Sequence, residues 1–214
     1  MIDMIDDINL DHGHESSVVN WNDFNSSLLI EVFRDKGVFT SSAVLIRRNV
    51  ILTAAHSVFG IDKGYLHLGH EYSKNNIRIA FKKVIIHKGY NKDSSNFKDD
   101  IALIILDNNV PKSIKPAPFS TAMNLIGASV DRLGFGSRAG KNKRTWTNPN
   151  ILDVKDKYLE LSDKKSVVGD SGGPLYYENK LVGIHSTKEG KKAFAVYIPP
   201  YKEWIEENLP FKKI

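Results

Sequence analysis

One glycine-rich stretch of the sequence, residues 169–174 (Gly-Asp-Ser-Gly-Gly-Pro), has a composition suited to chemistry. Glycines let a backbone approach a ligand closely, and a serine at the apex of a turn exposes a hydroxyl that can act as a nucleophile. Neighbouring N–H groups of such a turn can stabilise negative charge at one spot. A tight turn between two strands would need the glycines but neither Asp nor Ser. The stretch therefore predicts a nucleophile at Ser171, which requires a base elsewhere in the chain.

Two further residues are suited to act as that base and as the group that orients it. His56 follows the apolar run 50–53 and has small neighbours, so its imidazole has room to present one nitrogen to solvent. Asp100 precedes the apolar run 101–106, where a carboxylate is costly unless it is paired and the Nδ1–H group of a histidine is a suitable partner. Because side chains alternate along a strand, Asp99 is expected to point to the other side. A purely structural histidine at a strand end is the alternative for His56.

The elements expected to position these residues are short β-strands. From residue 18 onward, β-branched and aliphatic runs alternate with clusters of Gly, Asn, Asp and Lys, a pattern typical of an all-β protein built from two barrels or sandwiches. Residues 107–118 make the best internal boundary, 136–150 is interpreted as a long loop, and 200–209 is the one convincing helix. The predicted divisions are an N-terminal extension (1–17), a first barrel (18–112), and a second barrel with the helix (113–214).

Three motifs in the order His, Asp, Ser resemble the chymotrypsin/trypsin-like serine proteases. They are Thr53-Ala54-Ala55-His56, Asp100-Ile101-Ala102-Leu103 and the stretch at 169–174. Gly134-Phe135-Gly136 is similar to the Gly-aromatic-Gly motif of that family. The resemblance implies two six-stranded antiparallel β-barrels of the chymotrypsin type, a short C-terminal helix, and an active site between the barrels.

The resemblance also implies an acyl-enzyme mechanism. His56 is expected to take the hydroxyl proton of Ser171, while Asp100 holds the imidazole tautomer. The N–H groups of Gly169 and Ser171 are expected to form an oxyanion hole. The chain is thus predicted to be a serine endopeptidase that acts on a protein or peptide substrate without a cofactor. The alternative is a non-catalytic binding protein on the same scaffold, which would usually have lost one of the three residues.

The residues expected around the substrate side chain favour cleavage after an acidic residue. Lys165 stands six positions before the serine, where trypsins have Asp, and its charge would repel Lys or Arg. The run Gly183-Ile184-His185-Ser186, with Lys188 after it, resembles bacterial glutamyl endopeptidases and exfoliative toxins. By that resemblance, His185, Ser166 and Lys188 hold the substrate carboxylate. The alternatives are a buried structural His185 with solvent-facing lysines, and an apolar substrate preference. The predicted substrate-binding residues are Lys165, Ser166, His185, Ser186 and Lys188.

The acidic N-terminal segment suggests a second role for the glycine-rich stretch. In the family that the chain resembles, the equivalent of Asp170 pairs with an α-amino group that cleavage sets free, and residues 18–20 (Val-Val-Asn) look like such a terminus. We therefore hypothesise a zymogen in which 1–17 is a propeptide and freed Val18 pairs with Asp170. Self-cleavage after Glu15 would expose Ser16, so another activating protease or further trimming is required. In the alternative, a partner orders the site without cleavage and Asp170 pairs with a Lys or His.

The composition limits which kinds of partner the protein is expected to bind and in which compartment it is expected to function. The 214 residues carry a net charge of +5 and no cysteine, which excludes disulfides and thiolate metal sites, and we predict no metal. No apolar run approaches the roughly 20 residues of a membrane span, and the basic segment 141–144 is too short for a nucleic-acid surface. We therefore expect neither membrane nor nucleic acid as a partner. We expect a cytoplasmic protein if Met1 is the native start and a secreted one if the chain is a mature product.

Overall fold

The computed structural model describes residues 24–93, 98–138 and 140–210. The N-terminal extension 1–17 and Val18 lie outside the described residues, so the roles assigned to them stay predictions, as do the three divisions of the chain. In the part of the chain that the structure describes, no helix is long and apolar enough to cross a membrane.

The first group of strands closes into a barrel with the strand order β1-β2-β3-β6-β5-β4. β6 is buried along its whole length because its alternate side chains pack into two different apolar clusters, one on each face of the strand, which explains its uniformly apolar sequence. One helical turn, α1, follows β3. The elements are β1 (Ser27–Arg34), β2 (Gly37–Arg47), β3 (Val50–Thr53), α1 (Ala55–Val58), β4 (Lys63–Leu68), β5 (Ile77–Ile86) and β6 (Ala102–Leu106).

The second group forms a seven-stranded antiparallel sheet with the order β10-β7-β13-β14-β15-β12-β11, and β8 pairs with β9 separately. The strands are β7 (Asp131–Gly134), β8 (Ser137–Arg138), β9 (Lys141–Asn142), β10 (Thr145–Thr147), β11 (Ile151–Val154), β12 (Tyr158–Leu161), β13 (Pro174–Tyr177), β14 (Lys180–Glu189) and β15 (Lys192–Tyr197). The expected chymotrypsin-type fold is confirmed, with a half-barrel in this second half. A 3-10 turn (Pro199–Tyr201) then leads into α2 (Lys202–Asn208), the predicted C-terminal helix.

The interpretation of 136–150 as a loop is wrong, because this segment contains β8, β9 and β10. β10 pairs with β7 and buries all three of its side chains. In the basic segment, Arg144 is also buried, and its guanidinium donates to the carbonyl groups of Phe24 and Ser27. This arginine therefore joins the start of β1 to the second half and does not belong to a solvated basic surface.

Hydroxyl groups join the two halves next to the cleft. Ser42 of β2 donates from Oγ to the carbonyl oxygen of Gly169 (2.8 Å) and accepts from the backbone N–H of Phe135 (2.8 Å). At the other side of the interface, Tyr201 donates from its hydroxyl to Asp99 Oδ1 (3.0 Å) and accepts from the Asp99 N–H (3.0 Å). These contacts fix the glycine-rich stretch against the first barrel and fix the C-terminal helix to the turn before β6.

Candidate active site

Three side chains from separate elements form a continuous line of hydrogen bonds at the junction of the two halves. His56 Nδ1 lies 2.7 Å from Asp100 Oδ2, and His56 Nε2 lies 2.9 Å from Ser171 Oγ. The backbone N–H of His56 also donates to Asp100 Oδ1 at 2.9 Å. The structure therefore brings together the three residues that the sequence singles out as nucleophile, base and orienting carboxylate.

The helical turn α1 presents His56 at the end of strand β3. The small side chains of Ala54 and Ala55 are fully buried there. The His56 side chain itself is 41% exposed. Arg34 of β1 donates to the carbonyl oxygens of His56 (3.1 Å) and Ser57 (2.9 Å). Arg34 could not be predicted from the sequence, because its hydrogen-bond acceptors are backbone carbonyl oxygens, which every residue has.

Asp100 is buried and has three donors on its carboxylate. Besides the two bonds from His56, the Ser186 hydroxyl donates to Asp100 Oδ2 at 2.5 Å. Burial alone would raise the pKa of Asp100, but the hydrogen bonds and charge of His56 and the Ser186 bond together lower it. Ser186, expected in the substrate pocket, thus supports the carboxylate, and its carbonyl oxygen accepts from Ser171 Oγ at 3.1 Å.

Asp99 points away from His56, as expected, but for a different reason. Both carboxylates precede β6, so strand alternation does not separate them; Asp99 has a φ of +60° instead. Its side chain contacts Lys157 Nζ at 2.8 Å and the Tyr201 hydroxyl at 3.0 Å.

The turn that carries Ser171 packs directly on β2 and β3. The Ser171 carbonyl oxygen accepts from the Ser42 N–H (2.9 Å) and from the Ser41 hydroxyl (2.7 Å). A Cβ on Gly172, whose φ is +83°, would lie 2.1 Å from the Ser42 carbonyl oxygen, so only glycine fits. Gly169 has a φ of +99°. Among the described residues, neither the Gly169 N–H nor the Ser171 N–H has a hydrogen-bond acceptor, which leaves both available to a ligand.

Asp170 is fully buried and faces two arginines. Its Oδ2 accepts from Arg138 at 2.7 Å and lies 3.1 Å from a guanidinium nitrogen of Arg132, and its Oδ1 lies 3.2 Å from Arg138. Burial would raise the pKa of Asp170, but the charges of Arg132 and Arg138 hold it well below its usual range. The cations here are arginines and not the Lys or His of the partner hypothesis, and the predicted partner Val18 lies outside the described residues.

The predicted pocket residues fall into a buried pair and an outer pair of lysines. Ser166 and His185 are 3% and 2% exposed, and neither Ser166 Oγ nor His185 Nδ1 has a hydrogen-bond partner among the described residues. Lys188 is exposed, but its Nζ donates to the carbonyl oxygens of Lys164 (2.7 Å) and Ser166 (3.4 Å). Lys165 is half-buried, and its carbonyl oxygen accepts from Arg138. Lys188 therefore ties β14 to the segment before the glycine-rich stretch.

His185 has an electrostatic environment that keeps it neutral. Burial, followed by the charge of Arg132, lowers its pKa to about 4 against the opposing effects of Asp170 and Asp163. At neutral pH the imidazole therefore offers one N–H donor and no positive charge. No group of three or more His, Asp or Glu residues in the described ranges could hold a metal ion.

The largest omission of the sequence analysis is the charge cluster beneath the glycine-rich stretch. Arg132 is fully buried on β7 and pairs through Nε with Asp163 and through a terminal nitrogen with Asp170. An arginine inside a short strand is a signal that could have been used, because a cation that is buried there requires buried carboxylates nearby. Arg138 carries no such signal, because its segment has the composition of a loop although it forms β8.

Comparison with known proteins agrees with this geometry. The family model "Trypsin" matches residues 25–205. A chymotrypsin from Phaedon cochleariae is 29% identical over 81% of this chain and 74% of its own length. The solved structure of HL collagenase superposes with a TM-score of 0.78 at 22% identity, over 88% of this chain and 95% of that one. An inactivated protease paralogue of the scabies mite has a TM-score of 0.77 at 15% identity, over 91% and 98%.

The chain therefore belongs to the trypsin family, and it is a serine endopeptidase. None of the three proteins compared above is described as a glutamyl endopeptidase or an exfoliative toxin. The resemblance of the pocket to that bacterial branch stays a prediction.

Proposed function

We propose that Ser171 attacks the carbonyl carbon of a substrate peptide bond, with His56 as general base and Asp100 as the orienting carboxylate. The observation that carries this proposal is the pair of hydrogen bonds on the imidazole, 2.7 Å at Nδ1 and 2.9 Å at Nε2. With its proton held on Nδ1 by a buried carboxylate, the imidazole has Nε2 ready to accept the serine proton. The same group then protonates the leaving amine and activates the water that hydrolyses the acyl-enzyme.

In this proposal the N–H groups of Gly169 and Ser171 bind the oxyanion of the tetrahedral intermediate. Both donors lie on the turn that carries the nucleophile, and both are without an acceptor among the described residues. One such donor is worth about 3 kcal/mol of transition-state stabilisation in a comparable enzyme.

A non-catalytic binding protein is the second candidate, since an inactivated protease paralogue shares the fold. A fluorophosphonate, which reacts only with an activated serine, distinguishes the two. We expect labelling of the native protein and none of Ser171→Ala, with peptide hydrolysis reduced about 10⁶-fold in that variant. Ser129→Ala, which removes an exposed serine elsewhere in the second half, is the control and should behave as the native protein. Labelling at another serine, or undiminished hydrolysis by Ser171→Ala, would contradict the assignment.

The finer part of the proposal is cleavage after acidic residues, above all Glu. Ser166 Oγ and His185 Nδ1 are buried and have no hydrogen-bond partner within the described part of the chain. A buried polar group in that state costs about 1–3 kcal/mol. A substrate carboxylate would accept from both groups, and Lys165 and Lys188 add positive charge at the rim. These features support an anion-binding pocket better than an apolar one.

Two peptides that differ only in Glu or Gln before the scissile bond separate the effect of the side chain's charge on cleavage from the effect of its shape. We expect faster cleavage of the Glu peptide, with the preference reduced in Ser166→Ala and in His185→Ala. A library cleaved mainly after Phe, Leu or Arg would refute acidic specificity and leave the serine mechanism intact.

A further inference from the structure

The carboxylate of Asp170 has no free acceptor position. A carboxylate offers about four lone-pair sites, and four hydrogen bonds occupy them. Oδ1 accepts from the Gly136 N–H (2.9 Å) and from Arg138 (3.2 Å); Oδ2 accepts from the Val167 N–H (2.9 Å) and from Arg138 (2.7 Å). The bidentate guanidinium of Arg138 thus supplies Asp170 with a cation, the role that the zymogen hypothesis gives to a freed α-ammonium group.

The cluster is also neutral without a further cation. Arg132 and Arg138 balance Asp163 and Asp170, and all but Arg138 are at most 2% exposed at the side chain. An additional α-ammonium would add an uncompensated positive charge to a buried site, which is costly.

Arg138 donates hydrogen bonds to three residues, of which Lys165 and Asp170 lie in one segment and Gly136 lies in its own. Besides Asp170, it donates to the carbonyl oxygens of Gly136 (3.2 Å) and Lys165 (2.9 Å). The Asp170 carboxylate can pack against this segment because Gly134 and Gly136 have no side chains. A Cβ on Gly134 would lie 2.4 Å from Asp170 Oδ1, and a Cβ on Gly136 would lie 2.7 Å from it. Strand β8 is thereby tied to both ends of the segment that leads into the glycine-rich stretch.

We propose that Arg138, with Arg132 beneath it, is a built-in counter-cation that holds Asp170 inward and so keeps the N–H groups of Gly169 and Ser171 arranged for catalysis without a freed N-terminus. Arg138 is a positioning residue, since it touches no reacting atom and acts through Asp170. The chain is then active without cleavage before Val18, in contrast to the zymogen hypothesis. This inference rests on the proposed serine mechanism.

Four proteins test it: the whole chain and a chain that begins at Val18 after removal of a cleavable tag, each with Arg138 or with Arg138→Gln. Arg48→Gln is the control, because Arg48 is a half-buried arginine that donates to a backbone carbonyl in the first barrel, away from Asp170. The measurements are kcat, KM and the rate of fluorophosphonate labelling, all made well below the melting temperature of each variant.

We expect the two chains with Arg138 to have equal kcat within about twofold. Arg138→Gln should lower kcat about 10- to 100-fold in the whole chain, with a smaller change in KM, because the oxyanion donors act on the transition state. Arg138→Lys should recover part of the loss, since it restores a cation without the bidentate geometry. Arg48→Gln should keep the native kcat.

An unchanged kcat in Arg138→Gln would overturn the proposal, as would a chain that gains tenfold or more activity only when it begins at Val18. A failure of the serine mechanism would look different. In that case no protein of the set would be labelled or would hydrolyse peptides, and both proposals would fall together.

Discussion

Replacement of Ser186 by alanine should lower kcat and should lower the free energy of unfolding by an amount that depends on pH. Among the described residues, the Ser186 hydroxyl is the one donor on Asp100 that His56 does not supply, at 2.5 Å from Oδ2. Hydrogen bonds to charged groups contribute about 1.5–3 kcal/mol, so we expect the free energy of unfolding at pH 7 to fall by about 2 kcal/mol. Because both His56 bonds remain, the loss in kcat should be about tenfold, far below the roughly 10⁴-fold loss for removal of the orienting charge in a comparable enzyme.

The sign of the pH dependence follows from the lowered pKa of Asp100. A carboxylate whose pKa is lowered in the folded state stabilises the fold above its unfolded value, and this contribution disappears as the pH falls through the folded value. Ser186→Ala raises the pKa of Asp100 toward its ordinary value of about 3.9. The difference in the free energy of unfolding between the native protein and the variant should therefore be largest at pH 7 and should decrease below about pH 4.

Ser26→Ala is the matched control for this experiment. Ser26 is also buried and also has a 2.5 Å hydrogen bond, but its partner is the neutral hydroxyl of Tyr176. We expect a loss of about 1 kcal/mol that does not change with pH and leaves kcat as it was. Urea titrations between pH 3 and pH 7, combined with kcat, provide the comparison. Equal and pH-independent losses in the two variants would refute the assigned role of the Ser186 hydroxyl.

Three further predictions concern the packing and titration of the second half. Gly172→Ala places a Cβ 2.1 Å from a backbone carbonyl oxygen of β2 and should lower the free energy of unfolding by about 3 kcal/mol or more. Gly190 has open space around it, so Gly190→Ala should lower it by only about 1 kcal/mol in the same denaturation assay. Because the pKa of His185 is lowered to about 4, the unfolded chain takes up its proton first, and native stability should fall by about 3 kcal/mol from this residue between pH 6.5 and 4. His185→Asn should show a correspondingly flatter profile, and an identical profile would contradict the burial argument. Tyr201→Phe removes the hydroxyl that bonds twice with Asp99 and should lower the melting temperature by several degrees, equivalent to about 1–2 kcal/mol.

Side chains that the structure brings together could be found in the sequence where a residue's chemistry and its position in the strand pattern agreed, and their catalytic roles stay a proposal. His56, Asp100 and Ser171 each stand at the edge of an apolar run or in a glycine-rich turn, and such places expose functional groups. The same pattern predicted the strand-rich fold and the C-terminal helix. Positions with a local signal could therefore be predicted.

Contacts that join distant segments could not be predicted, because either partner alone looks ordinary. Arg138 resembled a surface residue of a loop until its segment was found to form β8 beside Asp170. The neighbours of Ser186 in the sequence predict a place in the substrate pocket, yet its hydroxyl donates to Asp100 of the first half. Periodicity along one strand carries no information on which distant carboxylate a side chain meets.

The hydroxyl contacts across the cleft have a consequence for how the enzyme loses activity. Ser42 supports the turn at Gly169 from the opposite half, and no covalent bond reinforces it, since the chain has no cysteine. Ser171 and His56 lie on different halves, so a separation of the halves by one or two ångströms would break the 2.9 Å hydrogen bond between their side chains. It would also open the buried apolar cluster that the two halves share, while the cluster inside each half stayed closed. Catalytic activity should therefore be lost when the halves separate, before either half unfolds. We expect mild denaturant to abolish hydrolysis before the circular dichroism of the strands changes.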